Sequence, residues 1–382
     1  MGKIRFLMPV LILVFSLSGP SVLCEDGQVR TAADVIDVRT FGAKGDGVSD
    51  DTGALQKAIE EALKTVGGLK PDVKYEWKGD SYPGYPPVTV YLPRGTYLVK
   101  KTIRVGVGSY SWNKAIRIIG EFSRIRAGGK MDVVIHVDTV AHITLQGFSI
   151  DGARLAGHGL TAFKISGRDA LVERINVAGA LSHGIVLEKC QGSVFRNCSA
   201  DGNGGDGWHI IDCNAALFDG VRAMGNQGNG YTITSKDFSA GCILSNLWSE
   251  GNKGHGVEIT ETVSSQVVIR DGWLEGNGKD GVRVGSAGAY LTGLNIVGGY
   301  RDDSREGMPR QRQEYAPIRL TKTAAGCYVV GNQIRGGGLR GGRIYVEGNP
   351  EQHYFTGNFR LFRARTVVPA EIDTGETESV KN

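Results

Sequence analysis

The sequence has few prolines and no dense run of one charge, and each of these absences excludes certain classes of protein. Only 11 of 382 residues are proline although 57 are glycine, so the composition excludes a collagen-like repeat and a low-complexity chain. Lysine and arginine are scattered, and the formal net charge of +4 gives no nucleic-acid footprint. With 41% hydrophobic and 22% charged residues, the composition is that of a folded globular protein whose chain turns often.

Long apolar segments are absent from the sequence beyond its N-terminus. Lys3 and Arg5 precede an apolar run from Phe6 to Phe15, and small residues follow it. The run is too short to span a bilayer comfortably, so we predict a secretory signal peptide over residues 1–24. A lipoprotein signal is the weaker alternative, because Leu23 stands where a small residue is preferred. We therefore expect a secreted protein, extracellular or periplasmic, with no membrane attachment other than a lipid anchor in that alternative.

A repeat of the form Gly-x-Gly-apolar runs through the middle of the sequence. Its second glycines are spaced 25, 23, 23, 26 and 25 residues apart. Each copy opens a run of about five residues with alternating apolar and polar side chains, which predicts a half-buried strand. The marker glycines are Gly159, Gly184, Gly207, Gly230, Gly256 and Gly281.

Two further positions recur in step with this repeat and predict turns. The first is filled by residues that accept a left-handed backbone at low cost, Asn197, Gly220, Asn246 and Asp271. A Gly-Asn pair follows in each copy. Three short strands per coil of 23 to 26 residues predict an all-β protein, a single-stranded right-handed parallel β-helix. A leucine-rich repeat is excluded because its Leu-x-x-Leu-x-Leu pattern is missing, and a propeller blade would need about 40 residues.

The segments at the two ends set the predicted limits of the solenoid. An amphipathic stretch from Gly53 to Lys64 follows Asp50 and Asp51, either of which would cap it as a helix. This short N-terminal capping helix would close the open end of the β-helix. We predict a β-helix domain over residues 36–365 and a polar C-terminal tail over residues 366–382.

Two motifs near the start of this domain resemble those of a known family. Phe41-Gly-Ala-Lys-Gly-Asp-Gly47 with Asp50-Asp51-Thr52, and Tyr91-Leu-Pro-Arg-Gly-Thr-Tyr97, resemble the pectate-lyase superfamily shared with rhamnogalacturonases and polygalacturonases. The resemblance covers roughly residues 36–365. It implies a right-handed β-helix and an extracellular enzyme that acts on polysaccharides as a hydrolase, a lyase or an epimerase. It does not select one of these, because one fold hosts several chemistries.

The polygalacturonase branch of that resemblance is incomplete. Gly254-His-Gly-Val-Glu-Ile259 and Gly281-Val-Arg-Val284 are similar to its strands and bring His255 and Arg283 to matching positions. The paired aspartates of that branch are missing near residues 228–231, and its lysine is missing after Arg283. The standard polygalacturonase mechanism is therefore not expected.

Period-two alternation predicts which side chains point out of the solenoid. Coils about 4.8 Å apart stack these side chains into two columns on one face. The outward residues of the strands are Val186, His209, Thr232, Glu258 and Arg283, and those of the Gly-x-Gly motif are His158, His183, Asp206, Asn229, His255 and Asp280.

The two columns supply the candidate catalytic residues. Asp206 and Glu258 fall near the separation of about 6.5–9.5 Å used by inverting glycosidases. We predict a glycoside hydrolase acting on an acidic, pectin-like polysaccharide, with these carboxyls as acid and base, His209 orienting them and Arg283 binding a uronate or sulfate. His255 completes the catalytic candidates. The competing interpretation is that these residues satisfy turns and form a solvated sheet face.

Three other functions remain open. A lyase would remove the proton beside a uronate carboxylate, with Arg283, Lys236 or His209 as base and Ca²⁺ near Glu258 or Asp237. No calcium-binding spacing is present, so no metal or cofactor is predicted unless the protein is a lyase. An epimerase would change uronate configuration without cleavage, and a non-catalytic glycan-binding or cell-surface β-helix would do neither.

Two insertions interrupt the repeat and are predicted to wall a substrate groove. Residues 70–87 supply Trp77 and Tyr82 for stacking on sugars, although packing on the solenoid would explain them as well. The second insertion supplies Arg305 and Arg310, and Lys236 joins this substrate-binding set. The expected partner is a polysaccharide and not a nucleic acid, and the sequence leaves the oligomeric state open.

The cysteines show no zinc or disulfide-scaffold spacing. Cys190 and Cys213 occupy equivalent positions of adjacent coils, close enough for a disulfide. An unbonded stack is equally compatible with the sequence.

Overall fold

A computed structural model describes residues 35–68, 73–77, 80–84, 88–111, 115–140, 142–165, 170–237, 241–264, 266–298, 315–335, 343–362 and 366–374. The predicted signal peptide, Arg305 and Arg310 lie outside the described residues. The side chains of Trp77 and Tyr82 lie outside them too. Across the ranges given, no helix has the length and apolar content needed to cross a bilayer.

The Gly-x-Gly strands stack in parallel and form one sheet of eleven strands, called the first sheet. Its strands are Ile103–Ser111, Met131–Val140, Ala156–Phe163, Ile185–Glu188, Trp208–Ile211, Tyr231–Thr234, Val257–Ile259, Val282–Val284, Ile318–Leu320, Ile344–Val346 and Ile372–Asp373. Each pairs in register with its equivalent one coil away, so Trp208 lies beside Tyr231 and Glu258 beside Arg283.

The remaining strands of each coil form a second sheet of 23 strands. Two long strands, Ile116–Ala127 and Ile143–Asp151, run through both columns of this sheet. One column contains Val35–Asp37, Val88–Leu92, Leu171–Glu173, Val194–Arg196, Leu217–Asp219, Ile243–Ser245, Val268–Arg270, Tyr290–Thr292, Tyr328–Val330 and Tyr354–Thr356. The other contains Asp46–Asp50, Thr96–Val99, Asn176–Ala178, Ser199–Asp201, Arg222–Met224, Trp248–Glu250, Trp273–Glu275, Asn295–Val297, Gln333–Arg335, Phe359–Phe362 and Thr366–Pro369. The predicted right-handed parallel β-helix with three strands per coil is confirmed.

Several short elements lie outside the regular coils or at their ends. Val73–Trp77 and Asp80–Gly84 form an antiparallel hairpin inside the first predicted insertion. Short 3₁₀ helices span Val38–Phe41 and Pro350–Gln352. Strand Thr366–Pro369 pairs antiparallel with Phe359–Phe362, and Ile372–Asp373 pairs with Ile344–Val346. Strand pairing therefore continues to residue 373, into the segment predicted as a polar tail.

The predicted capping helix spans Thr52–Gly68 and closes the N-terminal end of the core. Its buried Leu55 and Ile59 meet Val90 and Ile103 of the first coils. The two aspartates before the helix bind different backbone groups. Asp50 accepts a hydrogen bond from the Thr52 N–H, whereas Asp51 accepts from the N–H groups of Lys44 and Gly45.

The core is a stack of inward side chains that alternate with the outward ones. The inward residues Ile185, Trp208, Tyr231, Val257 and Val282 are fully buried, as the alternation predicted. The rings of Trp208 and Tyr231 stack with centroids 6.2 Å apart. Cys190 and Cys213 are both buried and unbonded, so the stack of free thiols is the arrangement observed.

Both recurring corners bend through a left-handed backbone. Asn197, Asn246 and Asp271 have φ values of 52°, 53° and 54°, and Gly220 takes 63° at the equivalent place. These residues form one stack, as predicted, because the strands before them are in register.

The asparagines of the second corner form a buried ladder inside the solenoid. Asn203, Asn226, Asn252 and Asn277 are at most 2% exposed. The Oδ1 atom of Asn252 accepts from the backbone N–H and the side-chain amide of Asn226, at 3.0 and 2.8 Å. Each asparagine thus forms hydrogen bonds with backbone groups of the preceding coil that are not paired between strands.

Replacing one rung of this ladder should destabilise the fold. Asn252→Ala leaves two buried donors of Asn226 without an acceptor, which we expect to lower the free energy of unfolding by roughly 2–3 kcal/mol. Gln227→Ala is the control, because Gln227 is exposed next to the ladder. Urea unfolding followed by circular dichroism measures both. Equal midpoints for the two variants would contradict a structural role for the ladder.

Candidate functional site

One face of the first sheet carries the two predicted polar columns. Val186, His209, Glu258 and Arg283 are partly exposed and Thr232 is buried among them. The Gly-x-Gly residues lie beside them, and Asp206, His255 and Asp280 are buried. The structure therefore brings all five catalytic candidates to one face, on three of four successive coils.

The closest cluster on this face joins His183, Asp206 and His209. The Nδ1 atom of His209 lies 2.9 Å from Oδ2 of Asp206. The Nδ1 atom of His183 accepts the Asp206 backbone N–H at 2.9 Å. The two imidazole rings stack with centroids 4.5 Å apart. Asp206 therefore lies between a histidine that accepts from its backbone and one that binds its carboxylate.

These hydrogen bonds assign the tautomers of both histidines. An ionised carboxylate only accepts, so Nδ1 of His209 carries a proton, and in the neutral imidazole the lone pair is then on Nε2. Nδ1 of His183 accepts, so its proton is on Nε2. His209 is 24% exposed, and its basic nitrogen can therefore meet a ligand on this face. An imidazole held in this way by a carboxylate is oriented for proton transfer.

Asp206 is held in its charged form. Burial by itself raises the pKa of this carboxyl, but hydrogen bonds from His209 and from the Asn229 N–H, with the nearby His183, reverse the effect, and the pKa is lowered overall. Burial lowers the pKa of His183 despite the opposing charge of Asp206. The cluster thus combines a charged aspartate with a neutral imidazole.

Asn229 connects the two predicted catalytic carboxylates. Its N–H donates to Oδ1 of Asp206, and its side-chain amide donates to Oε2 of Glu258, both at 2.8 Å. Glu258 also accepts from Arg283 at 2.8 Å, as expected for neighbouring coils. Glu258 is therefore bound on both of its oxygens, and Arg283 lies three strands from His209, about 14 Å at a spacing of 4.8 Å.

A second histidine–aspartate pair repeats the first three coils further on. Nδ1 of His255 accepts the backbone N–H of Asp280 at 3.2 Å. Oδ2 of Asp280 accepts from Nε of Arg319 at 2.9 Å, and Arg319 also donates to Glu347. Asp280 is 1% exposed, and burial opposes but does not outweigh the hydrogen bonds and charges of His255, Ala316 and Arg319 that lower its pKa. Arg319 thus binds the carboxylate of Asp280, whereas His209 binds the equivalent carboxylate, that of Asp206, in the first pair.

Lys236 lies at the end of the strand next to His209. Its ammonium group is 3.5 Å from Oε2 of Glu188 and 59% exposed. Its backbone N–H donates to Oδ1 of Asp212, which fixes the turn. The charge of Lys236 is therefore available to a ligand near the strands that carry His209.

Three residues of this face were not among the predicted site residues. His183 and Asn229 belonged to the polar stripe, but only coordinates show that they bind Asp206. Arg319 was missed because the second insertion breaks the repeat before it. The signal was the triplet Ile318-Arg319-Leu320, which repeats Val282-Arg283-Val284 and pairs with it in register.

His183, Asp206 and His209 are also the donor set that could hold a metal ion, with ligand atoms within 4.8 Å of one another. Two imidazoles and one carboxylate suit a transition metal better than Ca²⁺, which takes oxygen ligands. Nδ1 of His183 is already bound to a backbone N–H, so this nitrogen would have to exchange that partner. Calcium dependence stays a prediction tied to the lyase alternative.

The fold and this polar face place the chain among the right-handed parallel β-helix proteins. Residues 35–308 match the family described as Rhamnogalacturonase A/epimerase, pectate lyase-like. The match covers more than half of the chain, and the protein belongs to this family.

Similar proteins include epimerases and phage proteins. Mannuronan C5-epimerases AlgE5 and AlgE2 of Azotobacter vinelandii are each 26% identical over 295 residues, which is 71% of this chain and 25% of theirs. The chain thus spans about a quarter of the length of these relatives. The A-module of mannuronan C-5 epimerase AlgE4 from the same organism superposes with a TM-score of 0.58 at 18% identity, covering 89% of this chain and 96% of that structure. The Dettilon tailspike protein gives 0.59 at 13% identity, covering 89% and 68%.

Removing the arginine from the second pair should destabilise the protein strongly. Arg319→Leu leaves the carboxylate of Asp280 buried without its cation, which typically costs about 3–5 kcal/mol. Arg343→Leu is the control, because its ion pair with Glu371 is exposed on both sides and such pairs contribute about 0–1 kcal/mol. Chemical unfolding compares them. Similar losses in both variants would contradict the structural role of the buried pair.

His183 should make stability depend on pH. Because its pKa is below the usual 6.5 in the folded protein, the unfolded chain binds a proton below pH 6.5 that the folded protein does not. The free energy of unfolding should therefore fall as the pH drops from 6.5 towards the folded pKa, by at most about 1.4 kcal/mol per pH unit.

His183→Asn isolates this effect, because Asn keeps an acceptor for the Asp206 N–H but does not titrate. The slope of unfolding free energy between pH 7.5 and 5.5 should be smaller in the variant. His136 and His353, whose pKa values burial also lowers, supply the slope that remains. An unchanged slope would show that folding does not lower the pKa of His183, and would contradict this account.

Proposed function

We propose that the protein is an enzyme that removes the C5 proton of a uronate unit in an acidic polysaccharide, as an epimerase does. The observation that carries this proposal is the 2.9 Å contact between Asp206 and His209, which leaves Nε2 of His209 as a base. The similarity to C5-epimerases over 71% of the chain supports the same class of reaction. The glycan lies along the first sheet, and the protein acts outside the cytoplasm, as its predicted signal peptide implies.

The chemistry follows from the groups around His209. Nε2 of His209 takes the proton from C5, and the electron pair moves into the adjacent carboxylate to give an enediolate. The positive charge that forms on the imidazole is stabilised by the ionised Asp206. Lys236 binds the uronate carboxylate and offsets its growing negative charge. Delivery of a proton from solvent to the opposite face of C5, with release of the His209 proton to solvent, inverts the configuration, whereas loss of the C4 oxygen substituent would instead make the reaction a lyase.

The coil spacing suits a linear glycan. Equivalent residues recur about every 4.8 Å along the solenoid, which is comparable with the length of one pyranose unit. Arg283, about 14 Å from His209 by this spacing, would then bind the carboxylate of a unit further along the chain. Arg283 and Lys236 serve in this proposal as substrate-binding residues, and Glu258 as the acceptor that orients Arg283.

Hydrolysis is the second candidate, because Asn229 links the carboxylates of Asp206 and Glu258. A hydrolase needs one of them protonated as general acid. The lowered pKa of Asp206 makes it a poor acid and leaves only the base role for it. The proton-abstraction proposal is therefore preferred. A non-catalytic glycan-binding protein would use the same face without any of these reactions.

Solvent deuterium exchange tests the proposal. Purified full-length protein incubated with polymannuronate in D₂O should introduce deuterium at C5, measured by NMR. His209→Gln should lower this rate at least about 100-fold because it removes the base, and Asp206→Asn should lower it by a similar factor because it releases the imidazole. His136→Gln, an outward histidine of the same sheet three strands away, should exchange close to the parent rate.

The other functions give different products. New reducing ends without unsaturated uronate and without deuterium at C5 would establish a hydrolase and sink the proposal. Unsaturated uronate, which has a C4=C5 double bond and no hydrogen at C5, would establish the lyase variant of the same first step. Binding of the polymer without any product would identify the non-catalytic alternative.

A further inference from the structure

A cleft on the second sheet lies apart from the polar face of the first sheet. Its volume is about 400 Å³, within the range of small-ligand sites. The lining includes Asp46, Arg94, Thr96, Phe122, Arg124 and Ser149. With Gly45 and Gly95, five of the eight lining residues come from the two sequence motifs near the start of the domain, which the first-sheet site does not use.

Close packing of two glycines shapes this cleft. The Thr96 N–H donates to the Gly45 carbonyl at 2.8 Å, and a Cβ on Gly95 would lie 2.6 Å from the same oxygen. Glycine at position 95 therefore allows the two loops to touch. This contact brings Asp46 of one loop and Arg94 of the other to the same opening.

Arg124 stands between two hydroxyl groups on the outer face of the second sheet. Its strand pairs with Thr96 on one side and Ser149 on the other. Inward neighbours such as Ile125 are buried, whereas Arg124 is exposed. The guanidinium group is thus presented outward with polar side chains on both flanks.

Within the part of the chain that the structure describes, the two arginines of the cleft have no acidic partner. Over the described ranges, no carboxylate lies within ion-pair distance of Arg94 or Arg124. Asp46, the acidic residue of the lining, is fully engaged by its own turn, accepting from the N–H groups of Val48 and Ser49 and from the Ser49 hydroxyl. Arg126, two residues from Arg124 on the same strand, is by contrast paired with Asp151 at 3.4 Å. The cleft therefore has a net positive charge.

Phe122 exposes its ring at a strained position. It has φ of 49° and is 92% exposed. Residues 120–122 bulge opposite Gly147 at the first corner of the coil, where later coils use Asn197, Gly220 and Asn246. A bulky side chain in a left-handed conformation is unfavourable, and exposing an apolar ring adds nothing to folding. Phenylalanine at this corner is therefore better explained by contact with a ligand.

We propose that this cleft is a second glycan-binding site, which takes a carboxylate-bearing sugar unit. Arg94 and Arg124 bind the carboxylate through charged hydrogen bonds, Thr96 and Ser149 bind hydroxyls, and the Phe122 ring packs on an apolar sugar face. The inference rests on the proposed function for its ligand class but not for its residues. A polymer held here and on the first sheet would contact two faces of one solenoid.

Calorimetric titration of the full chain with hexameric oligomannuronate tests the proposal in the His209→Gln background, which prevents turnover. The parent should bind at two sites. Arg94→Gln with Arg124→Gln should weaken one of them about tenfold or more and leave the other unchanged. Phe122→Asn should weaken the same site while leaving the unfolding midpoint unchanged or higher, because Asn suits the left-handed corner. Arg126→Gln is the matched control.

The outcomes separate this site from the first-sheet site. Equal binding by the parent, the cleft variants and the control would overturn the proposal, as would the absence of binding by the parent. A single site that the cleft variants lose would support the cleft and count against the proposed function. Sodium sulfate binding as tightly as the oligomer would show a simple anion site and contradict the glycan assignment.

Discussion

Parallel, in-register pairing of successive coils is the constraint on which the rest of this structure depends. A residue placed outward in one coil lies about 4.8 Å from its equivalent in the next. The same rule stacks Trp208 on Tyr231 inside the solenoid and joins Glu258 to Arg283 outside it. The left-handed corners and the buried asparagine ladder maintain this register. A shift of one coil relative to the next would leave backbone groups at the corners without hydrogen-bond partners.

This register produces two histidine–aspartate pairs from one repeated position, and the side chain that binds the aspartate differs between them. Asp206 has His209 as partner, and the result is an accessible imidazole in a fixed tautomer. Asp280 is almost completely buried and has Arg319 as partner, and the result is a closed ion-pair network that extends to Glu347. One sequence position therefore belongs to a cluster with an accessible imidazole in one coil and to a buried ion-pair network in another.

The sequence alone predicted the solenoid, its three strands per coil and the inward or outward direction of residues such as His209 and Glu258. These follow from glycine spacing and period-two alternation, which act locally. It did not predict that Asn229 bridges the two carboxylates or that Arg319 joins the face. Such contacts depend on side-chain rotamers between coils, and in the case of Arg319 on an insertion that hides the repeat. The roles assigned to Trp77, Tyr82, Arg305 and Arg310 stay predictions, since these side chains lie outside the described residues.

The central claim is that coil stacking sets Asp206 on Nδ1 of His209 and leaves Nε2 as the base. Nitrogen-15 NMR of protein labelled at its seven histidines tests this directly, because the two ring nitrogens of a neutral imidazole have distinct shifts when protonated or not. At neutral pH the account predicts a protonated Nδ1 and an unprotonated Nε2 for His209. The His209 resonances are assigned as those that are missing from the spectrum of His209→Gln. A His209 resonance with the proton on Nε2 would contradict it.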